Sequence, residues 1–457
     1  MKTTNHLKKF TLLLAVVFMA YSCSNDDDNT NDPPQSTTIT ALASASGDLS
    51  ILVAALQRAG LDTTLDTAGD FTVFAPTNTA FANFLADNNF TALEDIPVDV
   101  LTQVLLNHVI DGEAFSTALS TGYGNTLATK PGTGENLSIY IDTSNGVSLN
   151  GVSNVEQADI DASNGVIHIV DAVIGLPNIV DHAVANSDLS SLVGALTAGG
   201  NTTFTTLLST PGDFTVFAPN NDAFASFTTS NDLASVLANH VIPGATAIST
   251  GLSNSYVNTA AMLSGTMTPL SMYINVDSGV TINGSSNVVA ADIVATNGVI
   301  HVVDEVIDLP TIATFATSNA ALSILVDALA YADTGMSTVD YIDTVSDATT
   351  GPFTVFAPTN DAFVSLLAEL ELNALTDLTP EQVDAVLLYH IVNANVQSSQ
   401  LQSGTVATLG GNITVDATAF TLTDPNGRLS NIIPSLVDIQ AANGVVHVID
   451  KVLLNDD

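Results

Sequence analysis

Cysteine and basic residues are scarce in this chain, and each shortage excludes a class of protein. Cys23 is the single cysteine among 457 residues, so no intramolecular disulfide forms and each domain must be stable through its own core. Seven Lys and Arg residues stand against 47 Asp and Glu residues, which gives a formal net charge of -40 at pH 7. A surface this negative repels phosphate backbones, so we exclude nucleic acid as a partner and expect a solvated acidic surface.

The sequence also lacks the short motifs that carry catalysis or metal binding. It contains no GxSxG elbow, no phosphate-binding glycine loop and no HExxH spacing. The stretch from Asp159 to Gly165 resembles a calcium loop, but its glycine comes one place late and Val170 stands where that loop needs a glutamate. We therefore predict that the protein is not an enzyme and that it holds no metal and no cofactor.

The N-terminus has the pattern of an export signal. Three lysines precede an apolar run over residues 10–20, which is about as long as the core of a signal peptide and too short to span a bilayer. The run leads into Ala20-Tyr21-Ser22-Cys23, which resembles the lipobox of bacterial lipoproteins. That resemblance implies that residues 1–22 are a lipoprotein signal peptide and that Cys23 is the lipidation site. An ordinary signal peptide with an incidental cysteine is the alternative.

Residues 23–37 combine the lipidated cysteine with a polar, acidic segment that has no periodicity, which predicts a disordered tether. The acidic run from Asp26 to Asp28 looks like the surface-export signal of Bacteroidota lipoproteins. The resemblance implies a protein that is lipid-anchored in the outer membrane and exposed on the cell surface. A solvated linker without that address is the alternative interpretation.

Two sequence blocks recur three times in the same order. The first block reads FTVFAPTNTAF from Phe71, FTVFAPNNDAF from Phe214 and FTVFAPTNDAF from Phe353. The second block reads NGVIHIVDAVI from Asn164, NGVIHVVDEVI from Asn297 and NGVVHVIDKVL from Asn443. The spacing is that of whole domains and is far above the repeat length of a solenoid. We predict three independent domains, over residues 38–176, 177–309 and 310–457.

Local patterns assign secondary structure within one copy. Apolar residues from Leu49 to Leu56 follow helical spacing, with Asp48 as the expected N-cap and Gly60 at the far end. Strands are expected over residues 71–74 and 166–170, and helices from about residue 80 and over 98–108. Asn-Gly pairs such as Asn164-Gly165 supply the positive φ that tight turns need. Helices precede most strands, so the predicted fold class is α+β, with helices packed on a compact sheet.

The paired blocks, with a helix ending in a histidine between them, resemble the fasciclin domain, and the match runs from about Thr38 to Asp457. The resemblance implies three tandem fasciclin-like domains, each a wedge-shaped β-sandwich flanked by helices. It also implies adhesion through an extracellular protein or polysaccharide ligand. Contact with a membrane is then expected through the N-terminal lipid anchor only.

Six histidines occupy matched positions in the three copies. One set, on the apolar face of a helix, comprises His108, His240 and His390, and the other, in an apolar strand, comprises His168, His301 and His447. A histidine in such a position is most often a buried, hydrogen-bonded core residue. We therefore assign structural roles to His108, His168, His240, His301 and His447, and we keep His390 among the binding candidates as well.

Candidate ligand contacts follow from the family resemblance. In animal relatives, an Asp-Ile pair before the second block and a Tyr-His pair at the helix end are implicated in receptor contact. The matching residues here are Asp159-Ile160, Asp292-Ile293, Asp438-Ile439 and Tyr389-His390. Asn107 and Asn239 replace the tyrosine in the other two copies. The alternative role is structural, with the isoleucine packed and the aspartate capping a turn.

The third copy carries an insertion between Leu329 and Phe353 that the first copy lacks. Long loops on rigid scaffolds often carry function, and Tyr331 and Tyr341 within this one would suit stacking on sugar rings or an aromatic contact with a protein. A simple connecting loop is the alternative.

Together these observations favour a non-catalytic, surface-anchored adhesion protein that binds cell-surface, matrix or polysaccharide ligands through repeated modules. The alternatives are a polysaccharide-handling enzyme or accessory protein, and a structural spacer at the cell surface. Short junctions near Pro177 and Pro310 favour limited motion between the domains.

Overall fold

The computed structural model describes residues 37–200, 202–336 and 339–455. Over these residues the chain forms three α+β domains, and each repeats one order of elements: helices, a strand, more helices and then the remaining strands. The α+β class and the three tandem copies are confirmed. The predicted signal peptide over 1–22, Cys23 and nearly all of the predicted tether lie outside the described residues.

Helices and strands are numbered in chain order. The first domain has α1 (Ile39–Ala45), α2 (Ser50–Ala59), β1 (Phe71–Pro76), α3 (Asn78–Asp87), α4 (Val98–Leu106), β2 (Val109–Asp111), β3 (Gly122–Thr129), β4 (Asn136–Asp142), β5 (Ser148–Leu149), β6 (Ser153–Ala162) and β7 (Gly165–Val170). The second has α5 (Ile179–Ala185), α6 (Ser190–Thr197), α7 (Thr203–Ser209), β8 (Phe214–Pro219), α8 (Asn221–Ser226), α9 (Leu233–Ala238), β9 (Val241–Pro243), β10 (Ser255–Met262), β11 (Pro269–Asn275), β12 (Thr281–Ile282), β13 (Ser286–Ala295) and β14 (Gly298–Val303). The third has α10 (Ile312–Ser318), α11 (Ser323–Ala332), α12 (Tyr341–Ser346), β15 (Phe353–Pro358), α13 (Asn360–Glu369), α14 (Pro380–Leu388), β16 (Ile391–Val392), β17 (Gly404–Ala407), β18 (Asn412–Asp416), β19 (Thr421–Thr423), β20 (Leu429–Asn431), β21 (Ile439–Ala441) and β22 (Gly444–Ile449).

Helix α2 shows how the helix ends are satisfied. Gly60 ends it in the left-handed region, with φ 69°, as predicted. The prediction that Asp48 caps its start is wrong, because a 3-10 turn over Gly47–Leu49 precedes the helix. The side-chain oxygen of Asn78, in the next helix, accepts from Ile51 N at 2.9 Å instead. The cap therefore comes from a residue that is remote in sequence.

Among the described helices, no single one is both long and apolar enough to cross a membrane. Two pairs of consecutive helices meet the length and composition requirement only when joined across bends of 107° and 102°: Ile39–Ala45 with Gly47–Ala59, and Ile312–Ser318 with Ala320–Ala332. Both pairs contribute residues to the domain cores, for example Leu52 and Phe315.

The two repeated sequence blocks pair with each other in every domain. Strand β1 lies parallel to β7, with Phe71 opposite Gly165 and Phe74 opposite His168. The pairs β8 with β14 and β15 with β22 repeat this register. These strands are buried along nearly their whole length, so the central strand predicted over 166–170 is confirmed.

The remaining strands extend the sheet differently in the three domains. In the first domain β1 also pairs with β2, and strands β1 to β7 close into a barrel in chain order. In the second, the sheet order is β10-β11-β12-β13-β14-β8-β9, and the sheet stays open between its end strands. In the third, β16-β15-β22-β21 and β17-β18-β19-β20 form two four-stranded sheets. All three domains therefore share four strands: the parallel pair, its antiparallel neighbour β2, β9 or β16 on one side, and β6, β13 or β21 on the other.

The parallel pair separates two apolar cores because side chains alternate along a strand. In the first domain, Val73 and Ala75 pack with Phe81 of α3 in the helix-side core. Phe74, between them in sequence, packs with Ile139 of β4 in the strand-side core. The helix-side core is the larger, so helix packing supplies most of the apolar burial that stabilises the domain.

The Asn-Gly pair that begins the second block holds the first helix of each domain. Gly165 adopts the positive φ expected of it, at 141°, and a Cβ there would lie 2.0 Å from Phe71 O, so only glycine fits. Asn164 has another role: it is buried, its side-chain oxygen accepts from Ile39 N at 2.9 Å, and its amide nitrogen donates to two backbone carbonyls that precede β1. Asn297 and Asn443 repeat these contacts.

Consecutive domains contact each other through equivalent surfaces. Strand β4 of the first domain lies against β13 of the second, where Val294 N donates to Ser138 Oγ at 2.9 Å. The next joint repeats the contact, with Gln440 N donating to Ser271 Oγ at 2.9 Å. The carbonyl of each junction proline accepts a backbone hydrogen bond within the domain that it begins, Pro177 from Thr296 N and Pro310 from Ala442 N. The serine contacts between neighbouring strands support the expectation of limited motion between domains.

Replacing Asn164 by alanine should destabilise the first domain by about 3 kcal/mol, because one buried N–H and two carbonyls lose their partner. Asn88→Ala in the same domain is the matched control. Asn88 is exposed and its side chain donates to Phe84 O, so its loss should cost less than about 0.5 kcal/mol. Urea unfolding, with hydrogen exchange of first-domain amides, measures both losses. Equal losses would show that the buried amide does not hold the helix.

Candidate functional site

The candidate aspartates occupy one structural position in the three domains. They lie within or directly before the strand that pairs with the second block, and each has a left-handed φ, at 64°, 62° and 56° for Asp159, Asp292 and Asp438. Each carboxylate accepts two hydrogen bonds from one serine, through its backbone N–H and its hydroxyl, at 2.5–2.7 Å. These serines are Ser116, Ser249 and Ser398.

The same carboxylates remain partly open to solvent. Their side chains are 37%, 37% and 35% exposed in chain order. Hydrogen bonds from Ser116 hold the pKa of Asp159 below its usual value, so that carboxylate is ionised at neutral pH. A carboxylate has more acceptor positions than two hydrogen bonds occupy. Each domain thus presents a partly exposed acidic acceptor at the same place.

The other candidate residues are largely enclosed. Ile293 and Ile439 are 1% and 2% exposed, and Ile160 is half-buried against the helix-side core. Tyr389 and His390 are buried, Tyr389 within the strand-side core of the third domain. A ligand would reach the buried side chains only if a domain opened, so in this structure they contribute through packing.

The asparagines that replace the tyrosine have fixed contacts of their own. Asn107 is fully buried, its Oδ1 accepts from Thr126 Oγ1 at 3.1 Å, and its Nδ2 donates to Gly175 O at 2.9 Å. Asn239 repeats both contacts in the second domain. They tie the helix end to a strand and to the chain after the second block. Sequence reasoning missed this role, although the same residue in two copies was a usable signal.

The strand histidines lie directly beside the aspartates. His168 Nδ1 accepts from Asp159 N at 3.2 Å, and its Nε2–H donates to Ala114 O at 3.0 Å, which assigns the proton to Nε2. His301 and His447 make the same two contacts. Burial lowers the pKa of both His301 and His447. Both nitrogens of each ring are therefore occupied by backbone groups.

The helix-end histidines use the opposite tautomer. Helix α4 ends two residues earlier than predicted, so His108 lies in the turn after it. Its Nδ1–H donates to Val104 O at 2.7 Å and its Nε2 accepts from Ile174 N at 2.9 Å. His240 and His390 repeat this pattern, and burial lowers the pKa of all three to about 4. Each ring is neutral and connects two backbone segments.

Groups suited to metal binding do not cluster in the described parts of the chain. Over residues 37–200, 202–336 and 339–455, no three His, Cys, Asp or Glu side chains are arranged to hold a metal ion. The six matched histidines have no free ring nitrogen, because backbone groups occupy both positions of each ring.

The insertion in the third domain forms a helix that packs into the core. Tyr341 begins α12 and is fully buried, and its hydroxyl donates to Asp384 Oδ1 at 2.8 Å. Tyr331 is half-buried near the end of α11 and donates to Leu378 O at 2.9 Å. The hypothesis that Tyr341 stacks on sugar rings is therefore wrong, because its ring is enclosed in the helix-side core. Tyr331 packs against the same core, and its hydroxyl is bonded to the segment before α14.

One histidine without a counterpart lies at the joint between the first and second domains. His182 is fully buried, and neither ring nitrogen has a hydrogen-bond partner within the described residues. Its ring packs edge-on against Tyr123, with 5.6 Å between the ring centroids. Burial lowers the pKa of His182 to about 4, and a contact with the backbone of Val294 that falls short of hydrogen-bond geometry opposes the shift only in part.

The next joint carries an apolar residue at the same place. Phe315 packs edge-on against Tyr256, with 5.5 Å between the ring centroids. The first joint also holds an ion pair, in which the buried Lys130 Nζ donates to Asp213 Oδ1 at 2.7 Å. The two joints therefore share their geometry but differ in charge.

Comparison with known proteins relates these features to a family. The family model for the fasciclin domain matches residues 47–177, 187–310 and 321–455, which together are most of the chain. Protein sll1483 of the cyanobacterium Synechocystis is 37% identical over 144 residues, which cover 32% of this chain and 73% of that protein.

Longer matches extend over several domains. Periostin of Homo sapiens is 27% identical over 443 residues, which cover 92% of this chain and 48% of periostin. The chain thus spans about half the length of periostin and of the transforming growth factor-beta-induced protein ig-h3 of Sus scrofa. A solved FAS1 domain pair from the insect cell adhesion molecule fasciclin I is 19% identical with a TM-score of 0.37, covering 57% of this chain and 97% of that one.

Replacing His182 by phenylalanine should stabilise the first joint, most clearly at mildly acidic pH. A histidine whose folded-state pKa is lowered contributes full stability above its unfolded pKa of about 6.5 and loses it as the pH falls toward 4. We expect H182F to raise the free energy of unfolding by roughly 1 kcal/mol at pH 7, since two unpaired nitrogens are removed, and by more at pH 5.

Thermal unfolding at both pH values measures this difference. Phe315→His is the reciprocal variant and should create the same acid sensitivity at the second joint. An effect of H182F that is identical at the two pH values would count against a buried neutral histidine.

Proposed function

The chain belongs to the fasciclin-domain family, and we propose that it is a non-catalytic adhesion protein anchored at the bacterial cell surface. Its ligand would be a cell-surface, matrix or polysaccharide component that binds through the repeated modules. The observation that carries the proposal is repetition: Asp159, Asp292 and Asp438 stand at one partly exposed position in three domains whose joints are equivalent.

Repetition has a physical consequence because the joints hold the domains in a fixed order. Once one module is bound, its neighbours are at high effective concentration near the ligand. Avidity then exceeds the affinity of one site by roughly 10²–10⁴ when the geometry allows simultaneous contact. Weak single sites are therefore sufficient for firm adhesion, as long as the ligand is itself repetitive.

The charge of the chain narrows the ligand chemistry. With a net charge of -40, the surface attracts amines and cation-bridged groups and repels anionic polymers. The aspartates are the candidates that a ligand can reach in all three domains without opening one, so we assign the contact to their carboxylates. In this proposal the isoleucines, Tyr389 and His390 keep the site in shape through packing.

Replacing all three aspartates by asparagine should weaken binding to an immobilised repetitive ligand by roughly 10²-fold or more, and each single substitution by much less. Asparagine tolerates the left-handed φ, its carbonyl oxygen still accepts from the serine N–H, and its amide nitrogen donates to the serine hydroxyl oxygen in place of the second bond, so the fold is retained. The full chain is tested by surface plasmon resonance against panels of glycans and matrix proteins.

The matched control replaces three exposed aspartates on the helix side by asparagine: Asp99, Asp222 and Asp361. If both triple variants lost binding equally, the loss would be explained by the change in net charge and not by the candidate site. The purified protein should not hydrolyse any glycan of the panel. Hydrolysis that is abolished by a single Asp or Glu substitution would contradict adhesion and support the enzymatic alternative.

Membrane attachment is assigned to an acylated Cys23 followed by the acidic tether. Cys23→Ala should abolish incorporation of a labelled fatty acid and move the chain out of the outer-membrane fraction, whereas Ser22→Ala should preserve both because a small residue is retained before the cysteine. Protease treatment of intact cells should digest the anchored chain if it faces outward. Continued fatty-acid labelling of C23A would disprove the assignment.

A further inference from the structure

The third domain has an open seam where the first domain is closed. In the first domain, Ile110 of β2 pairs with Thr126 of β3, and this pairing closes the barrel. In the third domain, the equivalent strands β16 and β17 belong to two separate sheets. The chain just after β17 still meets β16 at one point, where Leu409 N donates to Ile391 O at 2.9 Å.

A shorter hairpin explains the seam. Asn125, the third residue after the glycine that begins β3, lies opposite Ser138, which is 13 positions later in the sequence. The equivalent residue of β17, Ala407, lies opposite Asn412, which is only five positions later. Thr126 belongs to the stretch that the third domain lacks. Strand β17 therefore ends before it can pair with β16 along its length.

A cleft lies between the two sheets at this seam. It encloses about 410 Å³, which falls within the range of about 300–1,000 Å³ that ligand pockets show. Phe356, Val392 and Val415 form its apolar floor, and the exposed residues 402–405 are part of its rim. None of the lining residues carries a charge, although the chain as a whole has a net charge of -40. The lining therefore suits an uncharged ligand.

The rim offers polar groups that the fold does not use. Gln402 and Thr405 are exposed, and within the part of the chain that the structure describes their side chains have no hydrogen-bond partner. The side-chain oxygen of Gln400 accepts from Gln397 N at 3.0 Å, which leaves its amide nitrogen free to donate. The rim can therefore both donate and accept hydrogen bonds without any charge.

The two rim glutamines, Gln400 and Gln402, are particular to the third copy. Counted from the serine that bonds to each candidate aspartate, the residues at these positions are small in the other copies: Ala118 and Ser120 in the first, Gly251 and Ser253 in the second. The shared fold therefore needs no glutamine at either position, and the two side chains are available for a role that the third domain alone performs.

We propose that this cleft binds a neutral saccharide unit of a polysaccharide ligand. The proposal rests on the adhesion function proposed above and names the ligand class of the third domain. A sugar ring has hydroxyls that donate and accept at its edge and carbon surface on its faces, which matches a polar rim over an apolar floor. An anionic sugar would find no cation in the cleft and would be repelled by the net charge.

The cleft adjoins the candidate aspartate of the same domain. Gln400 ends a 3-10 turn that begins at Ser398, and Asp438 accepts hydrogen bonds from the backbone and hydroxyl of that serine. One turn thus connects the partly exposed carboxylate with the rim of the cleft. A polysaccharide that contacts Asp438 can therefore place a neighbouring unit in the cleft.

The test measures binding to the full chain by saturation-transfer difference NMR. The probes are the neutral tetrasaccharides cellotetraose, laminaritetraose and maltotetraose, and the anionic tetragalacturonate. We expect at least one neutral probe to bind, and the anionic probe to bind at least roughly tenfold less tightly. A neutral Gly-Ser-Thr peptide completes the set, because an extended peptide is the other kind of ligand that an unpaired strand edge accepts.

The decisive variant combines Gln400→Ala with Gln402→Ser, the residues of the first copy. Both side chains are exposed, so the fold is retained, and the loss of two neutral hydrogen bonds should weaken binding of the neutral probe roughly tenfold. Gln57→Ala is the matched control, because it removes an exposed glutamine from a helix of the first domain and should leave binding unchanged.

A second pair of variants tests the space in the cleft. Val406→Phe fills it and should weaken binding roughly tenfold or more. Val257→Phe makes the same change at the equivalent position of the second domain and should leave binding unchanged. The glutamine variant remains decisive if V406F fails to fold.

Full binding of a neutral probe by the folded Q400A/Q402S variant would overturn the cleft as the site. If no neutral probe bound while the chain still adhered to a matrix protein, this inference would fail and the adhesion function would stand. Loss of both kinds of binding would overturn both. Binding of the peptide alone would overturn the saccharide in favour of a strand-binding seam, and equal binding of the anionic probe would overturn the uncharged ligand.

Discussion

The parallel pairing of two short sequence blocks is the constraint on which the rest of each domain depends. The pair needs glycine at Gly165 because the carbonyl of Phe71 occupies the space of a side chain. It also places Asn164 where its amide can hold the first helix, 125 positions away in sequence. The chain between the blocks must therefore close a long loop, and this closure costs entropy that local contacts do not. This is why the blocks are nearly identical in the three copies while the segments between them differ in length.

Local patterns in the sequence predicted the elements that depend on local physics. The buried strand over 166–170, the glycine end of α2 at Gly60 and the α+β order all follow from spacing, hydrophobicity and backbone freedom. Predictions failed where a residue forms its hydrogen bond with a residue far away in the sequence. Asp48 does not cap α2, because Asn78 supplies the bond, and the tyrosines of the insertion are packed into the core, because Asp384 and Leu378 accept from their hydroxyls. The hydrogen bonds of the two tyrosines join residues 43 and 47 positions apart, and a local sequence pattern cannot predict them.

In the candidate site, too, the sequence predicted the residues but not their contacts with remote parts of the chain. Sequence reasoning located the aspartates and the histidines by their repetition, but it could not show that each aspartate backbone donates to a strand histidine while its carboxylate accepts from a serine. The two histidine sets look alike in sequence and carry opposite tautomers, since the proton position follows from which backbone group each nitrogen meets. The six matched histidines therefore have no free ring nitrogen for catalysis or metal binding. The three aspartate carboxylates remain as the accessible polar groups of the candidate site.

The three domains differ most in the parts that do not contact the parallel strand pair, namely the joints between domains and the helix layer. At the two joints, one equivalent position holds His182 in the first and Phe315 in the second, because an edge-on contact with tyrosine accepts either ring. In the helix layer, Arg58 and Tyr331 donate to backbone carbonyls of the segments that precede α4 and α14, and Ala198 stands at the equivalent position of the second domain. The segment that joins α8 to α9 is shorter there, and Leu233 is 39% exposed where Leu101 and Val383 are buried. The middle domain thus keeps the shared strands and joints of its neighbours while covering the start of its last helix less completely.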